Sequence, residues 1–140
     1  ALRPLEDTLR DAAKAQQRVL VGESMPEHGY YYRSDHFNLA KRGVPMLYFQ
    51  GGVDLREGGR AAGEAWDRDY RMNRYHKPSD QYDASWDVSG LLEELQLYYT
   101  VGRRLADDTR FPQWYPGNEF RPIREESLRA GASAQASQAP

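Results

Sequence analysis

The sequence predicts an α/β domain, with helices packed on a short mixed or parallel sheet, and three observations carry that expectation. A short helix-forming stretch over residues 35–42 runs directly into an apolar segment, Val44-Pro45-Met46-Leu47-Tyr48-Phe49-Gln50. That segment stops at Gly51-Gly52, as a buried strand does. Amphipathic helices are predicted on either side of this helix-to-strand step, one near the start of the chain and one after Asp87.

Taken in order, Leu2, Leu5, Leu9, Ala12, Ala13 and Gln16 recur at helical spacing, so residues 4–17 read as a helix. Pro4 suits its first turn, and Glu6 and Asp7 lie where the helix dipole favours acids. Residues 19–21 read as a short strand, and residues 22–29, with Pro26, as a loop. Ser34 is an N-cap candidate for the helix over 35–42, which Lys41 and Arg42 suit at its last turn and Gly43 and Pro45 close. Residues 53–59 are loop-like, residues 60–73 hold helix formers with weak periodicity, and Pro78 makes the stretch around it irregular. Asp87 caps a helix whose Val88, Leu91, Leu92, Leu95, Tyr98, Tyr99, Gly102 and Leu105 line one face. The aromatic and proline segment from Phe111 to Phe120 is expected to wrap over the surface. Residues 127–140, rich in Ala, Ser and Gln, are expected to be disordered, because so few large apolar groups cannot offset the ordering entropy.

Composition removes whole function classes. With 140 residues, 19 Lys and Arg against 21 Asp and Glu, the net charge of −2 offers no basic field for nucleic acid. No apolar run approaches the roughly 20 residues that span a bilayer. The absence of Cys excludes disulfides, thiolate zinc sites and a cysteine nucleophile. Only three histidines, His28, His36 and His76, are available, so a metal centre would draw mostly on carboxylates.

Most single residues read as ordinary surface. His28 sits in a Pro/Gly loop, and Glu93-Glu94 lies mid-helix as a solvated face. Two segments stand apart. In Ser34-Asp35-His36 an acid and an imidazole occupy a helix's first turn. In Tyr75-His76-Lys77-Pro78-Ser79-Asp80 a histidine beside a tyrosine is held in a proline-stiffened turn, with an acid four residues on. A neutral imidazole is a good zinc ligand when a partner fixes its other nitrogen.

The ordered text Tyr31-Tyr32-Arg33-Ser34-Asp35-His36-Phe37, Lys41-Arg42-Gly43-Val44-Pro45-Met46-Leu47 and Tyr75-His76-Lys77-Pro78-Ser79-Asp80-Gln81-Tyr82-Asp83 resembles the C-terminal half of the di-zinc aminopeptidases. That family includes bacterial leucyl-type aminopeptidases, glutamate-carboxypeptidase-like enzymes and glutaminyl cyclases, and the resemblance covers about residues 5–110. It implies that His76 is a zinc ligand, and that Tyr31 and Tyr75 lie near the substrate carbonyl as hydrogen-bond donors to the developing oxyanion. It further implies supporting roles for Asp35, His36, Asp80 and Asp83, substrate orientation by Arg33, and a place for residues 44–50 in the central sheet. In such enzymes two zinc ions share a bridging water, a glutamate moves the proton, and the substrate's α-amino group docks at one metal.

The family's remaining ligands come from a His-x-Asp pair, a bridging Asp, a Glu-Glu pair and a further Asp. No His-x-Asp occurs in this sequence, and Glu93-Glu94 follows His76 inside a helix. The expectation is therefore residues 1–126 as the C-terminal part of a zinc exopeptidase's catalytic domain, acting on peptides in the intact enzyme and inactive alone. A carboxypeptidase or glutaminyl cyclase of the same superfamily is an alternative, and Arg33 leaves carboxylate recognition open. A non-catalytic, aromatic-rich interaction module is another, and a half-domain would expose apolar surface and self-associate. The resemblance also suggests a periplasmic or secreted enzyme.

Overall fold

The computed structural model describes residues 3–23 and 25–136. Leu2 and residues 137–140 of the expected tail lie outside the described residues. The described residues form five α-helices, in order α1 (Leu5–Ala15), α2 (Phe37–Ala40), α3 (Gly59–Asn73), α4 (Ser89–Asp107) and α5 (Arg121–Ala136). Two 3-10 turns, Pro26–His28 and Tyr30–Arg33, precede α2. No helix among the described residues is long and apolar enough to cross a membrane.

The α/β expectation is incorrect. The described residues form helices and loops with no strand, and the one β-type contact is an isolated bridge between Leu55 and Gly59. Residues 44–50 have no regular structure, and residues 19–21 are irregular as well, with Val19 and Val21 exposed. An extended segment becomes a strand only when a second one takes up its N–H and C=O groups, and among the described residues neither apolar run has such a partner. The chain separates into two compact units, Ala1–Tyr48 with Gln96–Pro140, and Phe49–Leu95.

In the first unit, α1 follows its sequence signals closely: Pro4 stands at the N-cap, Glu6 and Asp7 fill the first turn, and Leu9, Ala12 and Ala13 are buried. Its end is closed by Gln17 in the left-handed region (φ 58°), with Gln17 N–H donating to the Lys14 carbonyl and Arg18 N–H to that of Ala13, both at 3.0 Å. Helix α2 is shorter than expected. The Ser34 hydroxyl donates back to the Tyr30 carbonyl at 2.8 Å instead of capping the helix, so Asp35 and His36 stay outside it.

The end of α2 is where this unit locks together. Gly43 takes φ +81°, its N–H donates to the Ala40 carbonyl at 2.7 Å, and Val44 N–H donates to that of Leu39 at 3.2 Å, a Schellman closure. The carbonyl of Gly43 accepts from the indole Nε1–H of Trp114 at 3.0 Å. Trp114, Ala40 and Phe120 form the buried cluster, with Tyr31, Phe37 and Met46 packed against it. The Phe111-to-Phe120 segment thus supplies core through Trp114 and Phe120, while Phe111 and Tyr115 stay exposed. A Cβ on Gly43 would lie 2.6 Å from the Arg124 backbone nitrogen, so α5 rests directly on this glycine. Helix α5 itself extends to Ala136 across most of the stretch expected to be disordered.

In the second unit, Gly58 and Gly59 (φ 77° and 61°) turn the chain into α3. Gly63 permits the Val53 carbonyl to approach where a Cβ would collide with it. Gly63 alone is buried among residues 49–95, so this unit has no apolar core and is held by surface contacts. Those include the Trp66 ring stacked on Tyr70 at 5.6 Å, an Arg71–Asp67 ion pair at 2.8 Å and an ion pair between Arg56 and Glu93. The Asp87 carboxylate accepts from Ser89 N–H at 2.9 Å, the cap the sequence indicates for α4.

Helix α4 is buried at Leu97 and Val101, whereas Leu91, Leu92, Leu95, Tyr98 and Tyr99 of its longer apolar stripe are exposed. Two glycine substitutions separate the lock from ordinary helix propensity. Gly43→Ala is expected to destabilise the chain by on the order of 1–3 kcal/mol in urea unfolding followed by circular dichroism. Gly102→Ala, in α4 with no atom within 4 Å of the added Cβ, is expected to stabilise it by about 1 kcal/mol. Equal effects at the two positions would contradict the role assigned to Gly43.

Candidate functional site

Tyr31 lies in the 3-10 turn Tyr30–Arg33, which places its ring against Phe120 (6.4 Å between centroids) and edge-on to His36 (4.5 Å). His36 also stacks against Tyr48 at 5.2 Å. The Tyr31 hydroxyl and His36 Nε2 are both buried and neither makes a hydrogen bond among the described residues. Leaving such a group unsatisfied costs about 1–3 kcal/mol, so two of them in touching side chains form an unusual polar pair. Burial pushes the Tyr31 phenol up to about 12, with smaller contributions from Tyr32 and the Glu119 carboxylate. Arg33 is exposed and lies over the Tyr30 ring at 5.7 Å, and Asp35 is exposed.

In the other unit, Tyr75 and His76 follow α3 directly and are both exposed. Their rings stack at 3.9 Å with an interplanar angle of 20°. His76 has φ +57°, a left-handed conformation that costs a non-glycine residue about 1–2 kcal/mol. The Asp80 carboxylate accepts from the Tyr70 hydroxyl at 2.9 Å, and the Asp83 carboxylate accepts from the Ser85 N–H and hydroxyl at 2.8 and 2.7 Å. Both acids therefore hold the loop in shape.

The fold thus brings Tyr31 and His36 together in one unit, and Tyr75, His76 and Asp80 in the other. Two participants were missed from sequence: Tyr48, which stacks on His36, and Tyr70, which binds Asp80. Tyr48 was absorbed into the expected strand. Tyr70 lies in the last turn of α3, five residues before Tyr75, a spacing that carries no signal for it.

A zinc centre of the kind the resemblance implies needs at least three His, Asp or Glu side chains around one point. Among the described residues no such group exists. His76 is a lone exposed imidazole, and the acid four residues on is engaged by Tyr70. The described residues do not by themselves make a metal centre.

The buried phenol has a consequence for pH. Below about pH 10 Tyr31 is neutral in both folded and unfolded chains; between about pH 10 and 12 the unfolded chain ionises while the folded one holds its proton, so stability falls across that window. Urea midpoints measured through it should fall less steeply in Tyr31→Phe than in the wild type, and parallel curves would contradict the burial of this hydroxyl.

Among curated proteins and among solved structures nothing matches the chain. A protein-family model does match, that of peptidase family M28, over residues 1–100. The match takes in the Tyr31–His36 segment, the Gly43 turn and the Tyr75-His76 pair. With most of its length inside that match, the chain belongs to peptidase family M28.

Proposed function

We propose that this chain is the C-terminal part of the catalytic domain of a zinc-dependent aminopeptidase, an exopeptidase that removes N-terminal residues from peptides. What carries this reading is the M28 match together with an exposed Tyr75-His76 pair at the end of α3. His76 is the one metal ligand the chain contributes. His76 is exposed, its ring stacks on Tyr75, and its backbone holds a left-handed conformation that is uncommon outside glycine. Tyr75, exposed beside it, donates a hydrogen bond to the carbonyl oxygen of the scissile bond as negative charge develops there. For Tyr31 the family resemblance suggests a hydrogen-bond donor's role in the intact enzyme, and its phenol, pushed up to about 12 by burial, holds its proton at any pH where peptides are cleaved. Arg33, Asp35 and His36 support substrate binding, and Asp80 supports the His76 turn.

Hydrolysis requires ligands and a general base that these residues do not assemble. The purified chain is therefore expected to bind no pair of zinc ions tightly and to show no turnover of leucyl-p-nitroanilide. Stoichiometric binding of two zinc ions with hydrolysis would contradict the reading of this chain as part of a catalytic domain.

The exposed apolar residues Leu91, Leu92, Leu95, Tyr98 and Tyr99 of α4 add an expectation about the isolated chain. Light scattering over a range of concentrations should give a mass that rises above that of a 140-residue monomer. A monomer at every concentration would show that this surface needs no cover.

A further inference from the structure

The turn that carries His76 is tied back to α3 by three of its own side chains. Lys77 Nζ donates to the Met72 carbonyl, Ser79 Oγ donates to that of Asn73 at 2.7 Å, and Asp80 accepts from the Tyr70 hydroxyl at 2.9 Å. The first two satisfy carbonyls that the last turn of a helix leaves without an N–H partner. Within the turn, Lys77 N–H donates to the Arg74 carbonyl at 2.8 Å and Asp80 N–H to that of Lys77 at 3.0 Å.

Tyr70 differs from the other two anchors because it meets the turn at both ends. Its hydroxyl holds Asp80, while its ring lies 6.0 Å from that of Tyr75 in a tilted contact. The ring is itself fixed, stacked almost parallel on Trp66 with an interplanar angle of 6°. A rigid aromatic side chain with few rotatable bonds can transmit that fixation where an exposed lysine cannot.

We propose that Tyr70 is a positioning residue which, through its hydrogen bond to Asp80 and its ring contact with Tyr75, holds the two rings of the Tyr75-His76 pair stacked and the His76 backbone in its left-handed conformation. Only the purpose of that pair rests on the proposed function; the clamp rests on the contacts themselves. Without it, the strained φ of His76 relaxes and the imidazole leaves the face of Tyr75.

The test is the histidine side-chain region of the carbon–proton correlation spectrum of the full chain. The His76 ring, face to face with Tyr75, should resonate upfield of His28, which meets Tyr30 edge-on. Tyr70→Phe keeps both ring contacts and removes only the hydroxyl, and Asp80→Ala breaks the same bond from the other side. Both are expected to lose the upfield shift of His76 while His36, in the other unit, and the far-ultraviolet circular dichroism stay unchanged. Asp80→Asn, which keeps an oxygen acceptor for Tyr70, is expected to retain the shift. An unchanged His76 signal in Tyr70→Phe would overturn the proposal. Peptide hydrolysis by the isolated chain would contradict the proposed function and leave this spectrum unaffected, so the two readings fail separately.

Discussion

The indole N–H of Trp114 donating to the carbonyl of Gly43 is the contact on which the first unit turns. It joins residues 71 apart in sequence, and both partners are buried. Such a bond adds only about 1 kcal/mol net, but breaking it strands a donor and an acceptor away from water at about 1–3 kcal/mol. Gly43 is restricted twice over, by its left-handed φ and by the Arg124 backbone pressed against it. Once the indole is placed, Phe120 follows at 5.3 Å from it, Phe37 meets Phe120 edge-on at 6.0 Å, and Tyr31 closes the cluster. The polar pair formed by Tyr31 and His36 owes its position to that sequence of contacts.

The second unit obeys a different logic. With Gly63 alone buried among its residues, it relies on helix closure, ion pairs and stacked rings at its surface. Exposed ion pairs contribute about 0–1 kcal/mol each, so the order of this unit rests mainly on backbone geometry and on clamps such as Tyr70–Asp80. Segments of low local stability are where binding and catalytic groups tend to lie. Tyr75 and His76 sit in such a segment, yet within a turn whose side chains tie it down.

How far the sequence could be read depended on whether the deciding interaction was local. Helix α1 was legible because Pro4, the early acids and the Leu9 and Ala12 spacing act within a few residues, and the start of α4 was legible from Asp87 for the same reason. The sheet was inferred from an apolar run whose pairing partner is a non-local matter, and none is present among the described residues. Helix α2 is shorter than its sequence signals indicate because Ser34 can bond forward or backward, and spacing does not say which. The burial of Trp114 depended on an acceptor at Gly43, far away in sequence, so the segment read as surface. The exposed stripe of α4 shows the converse: periodicity identified the helix, but Leu97 and Val101 form the face that is packed. Of the candidate site, Tyr75-His76 and the Tyr31-to-His36 segment were visible as motifs. The left-handed backbone of His76 and the role of Tyr70 are properties of the folded chain alone, because both arise from contacts that the motif does not contain.

Hydrogen exchange of the Trp114 indole N–H tests the central contact most directly, since only a buried and bonded donor is protected through every local fluctuation. The structure predicts that this proton exchanges only with unfolding of its unit, far more slowly than the indole proton of Trp66, whose side chain is 64% exposed. Exchange of the two indoles at similar rates would contradict the account.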